Sequence, residues 1–265
     1  MVDDIRIMIV IPTHSKYKNV INTFLLLLKK YWPDCPYRIL ISICGDDFTI
    51  QGYDRLYNGT NSNLIDCITA VRKKYNYDYY MCFLGDAFMN KKVNQIDVDE
   101  IINIINYNNI DYCSLLNVRN YKKSKKLNNC LRYIHSKDRY SHNFISFIVS
   151  NQYIDDFLSK MNSDLDFEMK YLSIKENYYF HNHIIVTKNI FNITPGIKKG
   201  KWNRFVLSKL KKYNPEIEFA ELPIESYCES LYSFFYGILI TFIPDYLRKK
   251  LKSYGYIKKR SVSKE

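Results

Sequence analysis

The sequence predicts an α/β protein whose first half is organised around a parallel sheet. Over residues 1–116, short apolar runs rich in β-branched residues alternate with apolar segments of helical length. Such alternation is typical of βαβ units, with right-handed crossovers and helices on both faces of the sheet. Polar residues follow the strand-like runs, as expected where a chain leaves the carboxyl end of a buried strand.

The first three elements follow from composition and from the point at which each run breaks. Ile5–Ile11 is apolar and rich in β-branched residues, so we expect a buried strand that ends at Pro12. Val20–Tyr31 has helical length and strong apolar content, and the proline after Trp32 disfavours its continuation. Arg38–Cys44 repeats the strand pattern and breaks at a Gly-Asp-Asp turn.

The remaining elements of this half continue the alternation. Helical spacing places Ile68 and Val71 on one face of the segment Leu64–Tyr75. Further along the chain we expect a third strand, a helix and a fourth strand, at Tyr79–Leu84, Ile96–Tyr107 and Tyr112–Leu116.

The pattern after residue 116 is less regular. Residues 121–126 form a basic stretch that is typical of a solvated loop. We expect Asn151 to cap the first of two short helices and Asp164 to cap the second. The predicted elements are a strand, two helices, a strand and a last helix, at Phe144–Val149, Asn151–Lys160, Asp164–Leu172, Ile184–Val186 and up to Tyr213.

The C-terminal segment, residues 224–265, differs in composition from residues 1–223. Residues 231–243 are almost wholly apolar, and residues 245–260 are rich in Lys and Arg. The apolar run has 13 residues, whereas a membrane-spanning helix needs about 20. We therefore expect a helical segment that lies on an anionic membrane surface, which makes the protein cytoplasmic and peripheral on the inner face of the plasma membrane. The alternative is a terminal helix packed on its own domain.

Net charge and cysteine usage narrow the classes of function. A formal net charge of +12 requires a negative partner, which a nucleic acid, an anionic membrane or a phosphorylated small molecule would supply. The seven cysteines lack C-x-x-C spacing, so we expect buried thiols in a reducing compartment rather than zinc sites or disulfides. No secretory signal is expected before Ile5.

Polar residues collect after three of the predicted strands. Thr13 and His14 follow the first strand, Asp46 and Asp47 the second, and Asp86 the third. In open α/β sheets, ligands bind outside the carboxyl ends of the strands. Ordinary loop polarity is the alternative, but three strand ends in succession favour a ligand site at this edge.

Two further segments carry residues suited to phosphate and proton chemistry. Lys198, Lys199 and Lys201 lie in a glycine-containing loop before a helix, a setting that favours phosphate. Carboxylates alternate through Asp164–Glu168, and a carboxylate within reach of a hydroxyl is a general base.

Four short motifs follow one another in an order that resembles a known family. They are Ile11-Pro12-Thr13, Asp86 with Phe88, Asp166-Phe167-Glu168 and Gly200-Lys201-Trp202. Together they resemble the bacterial glycosyltransferases of the GT-A fold that build capsular and cell-surface polysaccharides. The resemblance covers about the first 210 residues and depends on order and spacing, since each motif is short.

The resemblance implies a division of labour between two halves, a nucleotide-sugar-binding half at 1–116 and an acceptor half at 117–223. It implies that Thr13, His14 and Asp46 surround the base of a donor, expected to be UDP-linked. Asp166 and Glu168 would lie on the acceptor side, where an inverting enzyme keeps its base. The implied reaction moves a sugar to a hydroxyl of a lipid-linked or cell-surface glycan.

One departure from the family pattern concerns the metal. The family has two carboxylates close together after the central strand, whereas this sequence has Asp86 alone between Gly85 and Ala87. Mg²⁺ or Mn²⁺ on Asp86 and its waters, or the cluster of Lys198, Lys199 and Lys201, would each neutralise the diphosphate, and both remain open.

Two other classes of protein stay as alternatives. A nucleotidyltransferase or another nucleotide-handling α/β enzyme fits the same strand ends, although no GxxxxGK[ST] loop is present. A nucleic-acid-binding protein fits the net charge, but Asp46, Asp47 and Asp86 would repel phosphates at the ligand edge without a metal.

One tryptophan and three histidines are interpreted as structural or left open. We expect Trp202 to pack in the core. His181 and His183 have strand spacing, and we expect both at the surface rather than on a metal. His142 is a possible substrate contact.

Overall fold

The computed structural model describes residues 5–117, 125–138, 141–232 and 235, and it has a mixed α/β fold around a nine-stranded sheet. Residues 121–124 of the basic stretch at 121–126 and nearly all of the apolar and basic tail lie outside the described residues. Within the described part of the chain, no helix is long and apolar enough to cross a membrane.

The bounds of the elements are as follows. The main sheet contains β1 (Ile7–His14), β2 (Arg38–Cys44), β3 (Asp54–Tyr57), β4 (Tyr79–Phe83), β6 (Tyr112–Ser114), β7 (Lys125–Lys126), β8 (Leu131–His135), β9 (Ser146–Ser150) and β10 (Tyr179–Val186). Two small sheets pair β5 (Ala87–Met89) with β11 (Ile193–Pro195), and β12 (Ile197–Lys198) with β13 (Lys201–Trp202). The α-helices are α1 (Lys18–Tyr31), α2 (Leu64–Lys74), α3 (Gln95–Tyr107), α4 (Asn151–Asp156), α5 (Asp164–Leu172) and α6 (Arg204–Tyr213).

The main sheet has the strand order β3-β2-β1-β4-β9-β6-β10-β8-β7. Strands β1, β2 and β4 are parallel, as predicted, and β3, which was not predicted, is parallel to β2. Strands β6 and β10 are parallel to each other. Strand β9 lies between β4 and β6 and is antiparallel to both. The carboxyl ends of β1, β2, β4 and β6 therefore lie on the same side of the sheet as the start of β9, and we call this side the carboxyl edge. The end of β9 lies on the opposite side, the amino edge.

Helices cover both faces of the sheet, which confirms the layered α/β prediction. On one face, Ile9 and Ile11 of β1 belong to the same core cluster as the apolar sides of α1, α3 and α6. On the other face, Met8 and Val10 belong to a cluster with α2, α4 and α5. This alternation along β1 is what a strand buried on both sides requires.

Several predicted boundaries are wrong for identifiable reasons. Strand β1 does not end at Pro12 but continues through Thr13 and His14 beside β2. Its pairing with β4 stops at Val10, and proline is accepted in a strand where no ladder bond is lost. The helix caps are also displaced by one residue from Asn151 and Asp164, because Ser150 and Ser163 accept the capping hydrogen bonds.

Residues 224–230 pack on the body of the protein, although the sequence assigns them to a separate tail. Ile224 forms a bridge with Trp202, and Glu225 is buried. The Glu225 carboxylate accepts hydrogen bonds from Asn203 Nδ2 and Ser230 Oγ, each at 2.9 Å. The beginning of the C-terminal segment is thus held by the same elements that carry β13 and α6.

Candidate functional site

The loops after β1 and β2 are joined by hydrogen bonds at the shared carboxyl edge. Ser15 Oγ accepts a hydrogen bond from the Asp46 backbone N–H at 3.0 Å and lies 3.4 Å from His14 Nδ1. His14 Nδ1 also accepts from the Lys16 N–H at 3.2 Å, so His14 caps the short 3₁₀ helix that follows β1. The structure therefore brings His14 and Asp46 together, as the sequence predicts.

Gly45 makes this close approach possible. Its φ is +82°, and a Cβ added there would lie 2.5 Å from Ser15 Oγ and 2.7 Å from His14 Cε1. Such distances are too short for any side chain, and the positive φ independently favours glycine. The adjacent Asp47 forms an ion pair with Arg55, whereas the side chain of Asp46 is exposed.

Asp86 follows the end of β4 next to the end of β1. A Cβ on the preceding Gly85 would lie 3.5 Å from Thr13 Oγ1, so the backbone just before Asp86 passes close to buried Thr13. The Asp86 carboxylate is partly buried and accepts no hydrogen bond from another described residue. Burial raises the pKa of this carboxyl from its ordinary 3.8 to about 6, because the charged form loses hydration.

A hairpin carrying the three predicted lysines is attached directly to this carboxylate residue. The Gly196 N–H donates to the Asp86 carbonyl oxygen at 3.1 Å, where β11 ends its antiparallel pairing with β5. Two residues later on β5, the Phe88 ring stacks on Trp202 with centroids 5.0 Å apart and planes at 24°. A Cβ on Gly196 would lie 2.5 Å from the Phe88 ring. Two motifs distant in sequence therefore form one packed unit.

The lysines lie on a tight hairpin turn rather than in an open loop. Lys198 pairs with Lys201 across β12 and β13, and the two residues between them have φ of +52° (Lys199) and +75° (Gly200). Positive φ at both central positions is the requirement of a type I′ turn. Lys199 is exposed at this tip, while the Lys201 ammonium pairs with Glu229 at 3.1 Å.

The residues present fit a divalent cation only in part. No group of three or more His, Cys, Asp or Glu residues arranged to hold a metal occurs among the described residues. Asp86 offers one carboxylate that lacks a hydrogen-bonding partner in the described chain, and Mg²⁺ is commonly held by one or two carboxylates together with waters and substrate phosphates. A metal held by protein groups alone does not fit this edge.

The two acidic residues of α5 are placed differently from each other. Asp166 Oδ2 accepts hydrogen bonds from the backbone N and the Nδ2 of Asn162, at 3.1 and 3.2 Å, so this carboxylate stabilises the start of the helix. Glu168 is half-buried two residues further along the helix. The start of α5 is tied to the start of α2 by the bond from Asn63 Nδ2 to the Asn162 carbonyl at 3.1 Å, which places it toward the carboxyl edge of the sheet.

Sequence reasoning missed the residues that join the parts of the site. Ser15 belongs to the polar strand end that the sequence indicates, but its joining role was missed: its hydroxyl accepts from the Asp46 N–H. Gly45 and Gly196 have no side chain, and each allows a close backbone approach. The Gly-Asp pair after β2 and the Pro-Gly pair before the lysines were the available signals. Ser146, at the start of β9, was also missed, and its buried hydroxyl has no hydrogen-bond partner among the residues that the structure describes.

The prediction that His181 and His183 both lie at the surface is wrong for His183. The strand spacing of the two histidines was therefore not a sufficient argument. His183 is buried, and its Nδ1 lies 2.9 Å from Nε2 of buried His142. Burial lowers the pKa of His183 to about 3, and burial together with the neighbouring His183 lowers the pKa of His142 well below its ordinary value. His142 stacks on Tyr171 with centroids 3.5 Å apart. Trp202 is buried, which confirms its packing role.

No protein-family model matches the sequence, and no curated protein matches it significantly. Among solved structures, S. aureus TarS 1–349 in complex with UDP-GlcNAc is similar at 12% identity, over 80% of this chain and 66% of that chain, with a TM-score of 0.48. UDP-glucose pyrophosphorylase is similar at 10% identity, over 80% and 98% of the two chains, with a TM-score of 0.47.

A third similar structure is a cytidylyltransferase from Leptospira borgpetersenii, at 12% identity, over 62% of this chain and 68% of that chain, with a TM-score of 0.41. The chain spans 35% of the longer S. aureus TarS structure. At these identities and TM-scores the similarities assign no activity to this chain. Its own architecture is the mixed α/β fold described above.

Proposed function

We propose that this protein is a glycosyltransferase that moves a sugar from a nucleotide-sugar donor, expected to be UDP-linked, to an acceptor hydroxyl. One observation carries the proposal: Asp86 and the lysine hairpin form one unit, joined through Gly196, at the carboxyl edge that also holds Thr13 and His14. An edge of this kind is where α/β proteins bind nucleotides. The carboxylate is suited to holding a divalent cation on a diphosphate, and the ammonium groups are suited to neutralising its negative charge.

The roles within the proposed site follow from charge and position. Thr13, His14 and Asp46 would contact the base and ribose, since Thr13 and His14 end β1 and Asp46 lies in the loop after β2. Lys198, Lys199 and Lys201 would neutralise the diphosphate as the nucleotide leaves, with Lys201 exchanging its exposed partner Glu229 for phosphate oxygens. Surface ion pairs of that kind contribute only about 0–1 kcal/mol, so the exchange costs little.

A divalent cation on Asp86 is the proposed cofactor. Mg²⁺ or Mn²⁺ would restore the ionised form of this partly buried carboxyl and would take its other ligands from water and phosphate oxygens. Bound there, the ion would supply charge stabilisation for the leaving diphosphate. The lysine hairpin would carry that charge alone if the cation is absent.

Glu168 is the proposed general base on the acceptor side, with Asp166 as its neighbour at the start of α5. In an inverting reaction, the acceptor oxygen bonds to the anomeric carbon while the bond from that carbon to the phosphate oxygen breaks. The nucleoside diphosphate leaves with the electron pair, and the hydroxyl proton passes to the carboxylate. The acceptor would be a lipid-linked or cell-surface glycan, in keeping with a capsular or cell-surface polysaccharide.

Nucleotidyl transfer is the second candidate. The presence of one carboxylate rather than a pair after β4 favours it, because lysines would then neutralise much of the negative charge of the phosphates. In that reaction a sugar phosphate oxygen attacks the α-phosphorus of a nucleoside triphosphate and pyrophosphate leaves. The two candidates thus differ in which bond to the diphosphate is broken.

Phosphorus NMR of the products distinguishes the two reactions. Incubation with UDP-glucose or UDP-GlcNAc and Mg²⁺ should slowly give UDP and free sugar if the protein is a glycosyltransferase. Added pyrophosphate should give UTP and a sugar 1-phosphate if it is a nucleotidyltransferase. Asp86→Ala should abolish the product, while Asp34→Ala, an exposed aspartate on another edge, should not. Absence of both products, with no thermal shift by UDP, would contradict the proposal.

Membrane association is proposed for residues 231–265. Their apolar run and following basic cluster would hold the protein on the anionic inner surface of the plasma membrane, close to a lipid-linked acceptor. Because residues 224–230 pack on the body, the informative truncation is after Tyr232 rather than after Pro223. That variant should stay folded and lose binding to anionic vesicles, and full vesicle binding would contradict the anchor.

A further inference from the structure

A second concave site lies at the opposite edge of the main sheet from Asp86. Its walls come from α4, which follows the end of β9, from the end of α5 and from the first half of β10, and Asp111 just before β6 also lines it. Because β9 is antiparallel to β4, these segments meet at the amino edge of the parallel strands. The cavity has a volume of about 510 Å³, within the range of about 300–1,000 Å³ typical of small-molecule sites.

The floor of this cavity is aromatic and held in place from beneath. Phe157, Tyr171, Tyr178 and Phe180 line it. Tyr171 stacks on His142 at 3.5 Å, and Phe180 stacks on His183 at 4.7 Å with planes at 13°. The two histidines are buried and bonded to each other, so the ring orientations are fixed before any ligand arrives. A preorganised surface loses little conformational freedom on binding.

The rim of the cavity presents both donors and acceptors. Gln152, Asp156 and Lys170 line it with exposed side chains, and none has a side-chain hydrogen bond to another described residue. Asn182 donates its amide to Asp111, which leaves the Asn182 side-chain oxygen as an acceptor. A ligand that forms hydrogen bonds with all of these rim groups must carry several groups that both donate and accept hydrogen bonds.

Charge excludes the other ligand classes that an aromatic cavity takes. Asp111 and Asp156 repel a phosphate, although the chain as a whole has a net charge of +12. In this respect the cavity differs from the lysine hairpin. Lys170 offsets part of the negative charge of these carboxylates, which weakens the attraction of the site for a quaternary ammonium group, the usual occupant of an aromatic cage. A purely apolar ligand would leave the rim groups desolvated without partners.

We propose that this cavity binds a neutral saccharide ring, with an apolar C–H face on the aromatic floor and hydroxyls on the polar rim. The proposal is independent of the reaction at Asp86, since the two sites lie at opposite edges of the sheet. In the full-length protein such a site would hold a segment of a glycan away from the reacting groups.

Saturation-transfer NMR on the full chain tests this assignment. The probes are the methyl glycosides of glucose, galactose and N-acetylglucosamine, and maltotriose as a longer chain, each with and without saturating UDP. We expect at least one to receive saturation at its ring protons, unchanged by UDP. Tyr178→Ala should weaken the binding about tenfold, and Asp156→Ala should weaken it as well. The side chains of Tyr178 in the floor and Asp156 at the rim are both exposed, so the variants should keep the melting temperature of the parent.

Controls separate this site from the catalytic edge and from non-specific stacking. Tyr107→Ala removes an aromatic side chain that is 86% exposed on α3, and Asp86→Ala removes the carboxylate of the other site; neither should change binding. The inference is overturned if none of the saccharides binds, if choline binds in their place, or if binding is lost with UDP or with Asp86→Ala.

Discussion

Replacement of Asp86 by asparagine should stabilise the protein while abolishing its activity. The carboxyl of Asp86 has a pKa raised from 3.8 to about 6 by burial, so the folded protein holds a proton that the unfolded chain releases. Over the window from about pH 4 to pH 6, the free energy of unfolding therefore decreases as the pH rises. A shift of one pKa unit corresponds to about 1.4 kcal/mol, so the ionised carboxylate costs up to about 3 kcal/mol above pH 7.

Asparagine has the same shape and no charge, so Asp86→Asn should recover most of that cost. We expect a gain of up to about 3 kcal/mol at pH 8, or about 6–12 °C in melting temperature for a chain of this length, and about 0.5 kcal/mol at pH 4. Urea denaturation at the two pH values measures it, with Asp34→Asn as the exposed control. An equal change at both pH values, or destabilisation at pH 8, would refute the reasoning.

Three further predictions concern the hairpin and the acceptor side. Gly196→Ala should raise the donor KM and lower the melting temperature. The added methyl group would lie 2.5 Å from the Phe88 ring and would separate that ring from Trp202. Steady-state kinetics measure the KM, and thermal unfolding measures the melting temperature. Glu168→Gln should lower turnover by about 10²–10⁴-fold with little change in UDP affinity, measured by product formation and by UDP titration. Lys199→Ala should weaken UDP binding about tenfold at low salt and less at high salt, because exposed charges are screened.

Each of these predictions has a matched comparison. Gly52 is at positive φ, unlike Gly196, and a Cβ there would meet nothing within 4 Å. Gly52→Ala therefore measures backbone strain without a steric clash, and a rise in donor KM equal to that of Gly196→Ala would contradict the hairpin reasoning. Loss of UDP binding in Glu168→Gln would indicate that Glu168 belongs to the donor pocket or to the core, and would contradict its role as the base. Lys126→Ala, an exposed lysine on β7, should leave UDP affinity unchanged; a similar loss there would indicate only non-specific charge.

Local sequence patterns were sufficient for the elements that are long, apolar and bounded by turn residues. Arg38–Cys44 and Asp164–Leu172 have the predicted bounds. Strand β3 was missed because Asp54–Tyr57 is short and largely exposed at the sheet edge, so it lacks an apolar run. The antiparallel direction of β9 was not predicted, since strand direction depends on the partners and not on the residues of the strand.

The candidate site was predictable to the extent that it depends on strand ends. Thr13 and His14 end β1, and Asp46 and Asp86 follow β2 and β4. Parallel strands bring their carboxyl ends together. The attachment of the lysine hairpin through Gly196 depends on a pairing between β5 and β11 that no local pattern encodes. The histidine pair was missed for the same reason.

The insertion of β9 beside β4 has a consequence for how the chain is made. All five residues of β4 are buried in the finished sheet, but its neighbour on one side begins only at Ser146. While a ribosome is still synthesising the intervening residues, β4 presents an unpaired apolar edge, the kind of surface that recruits other chains. Fragments ending before Ser146 should therefore aggregate, and expression of the protein should depend on slow growth or on chaperones that cover this edge until β9 emerges.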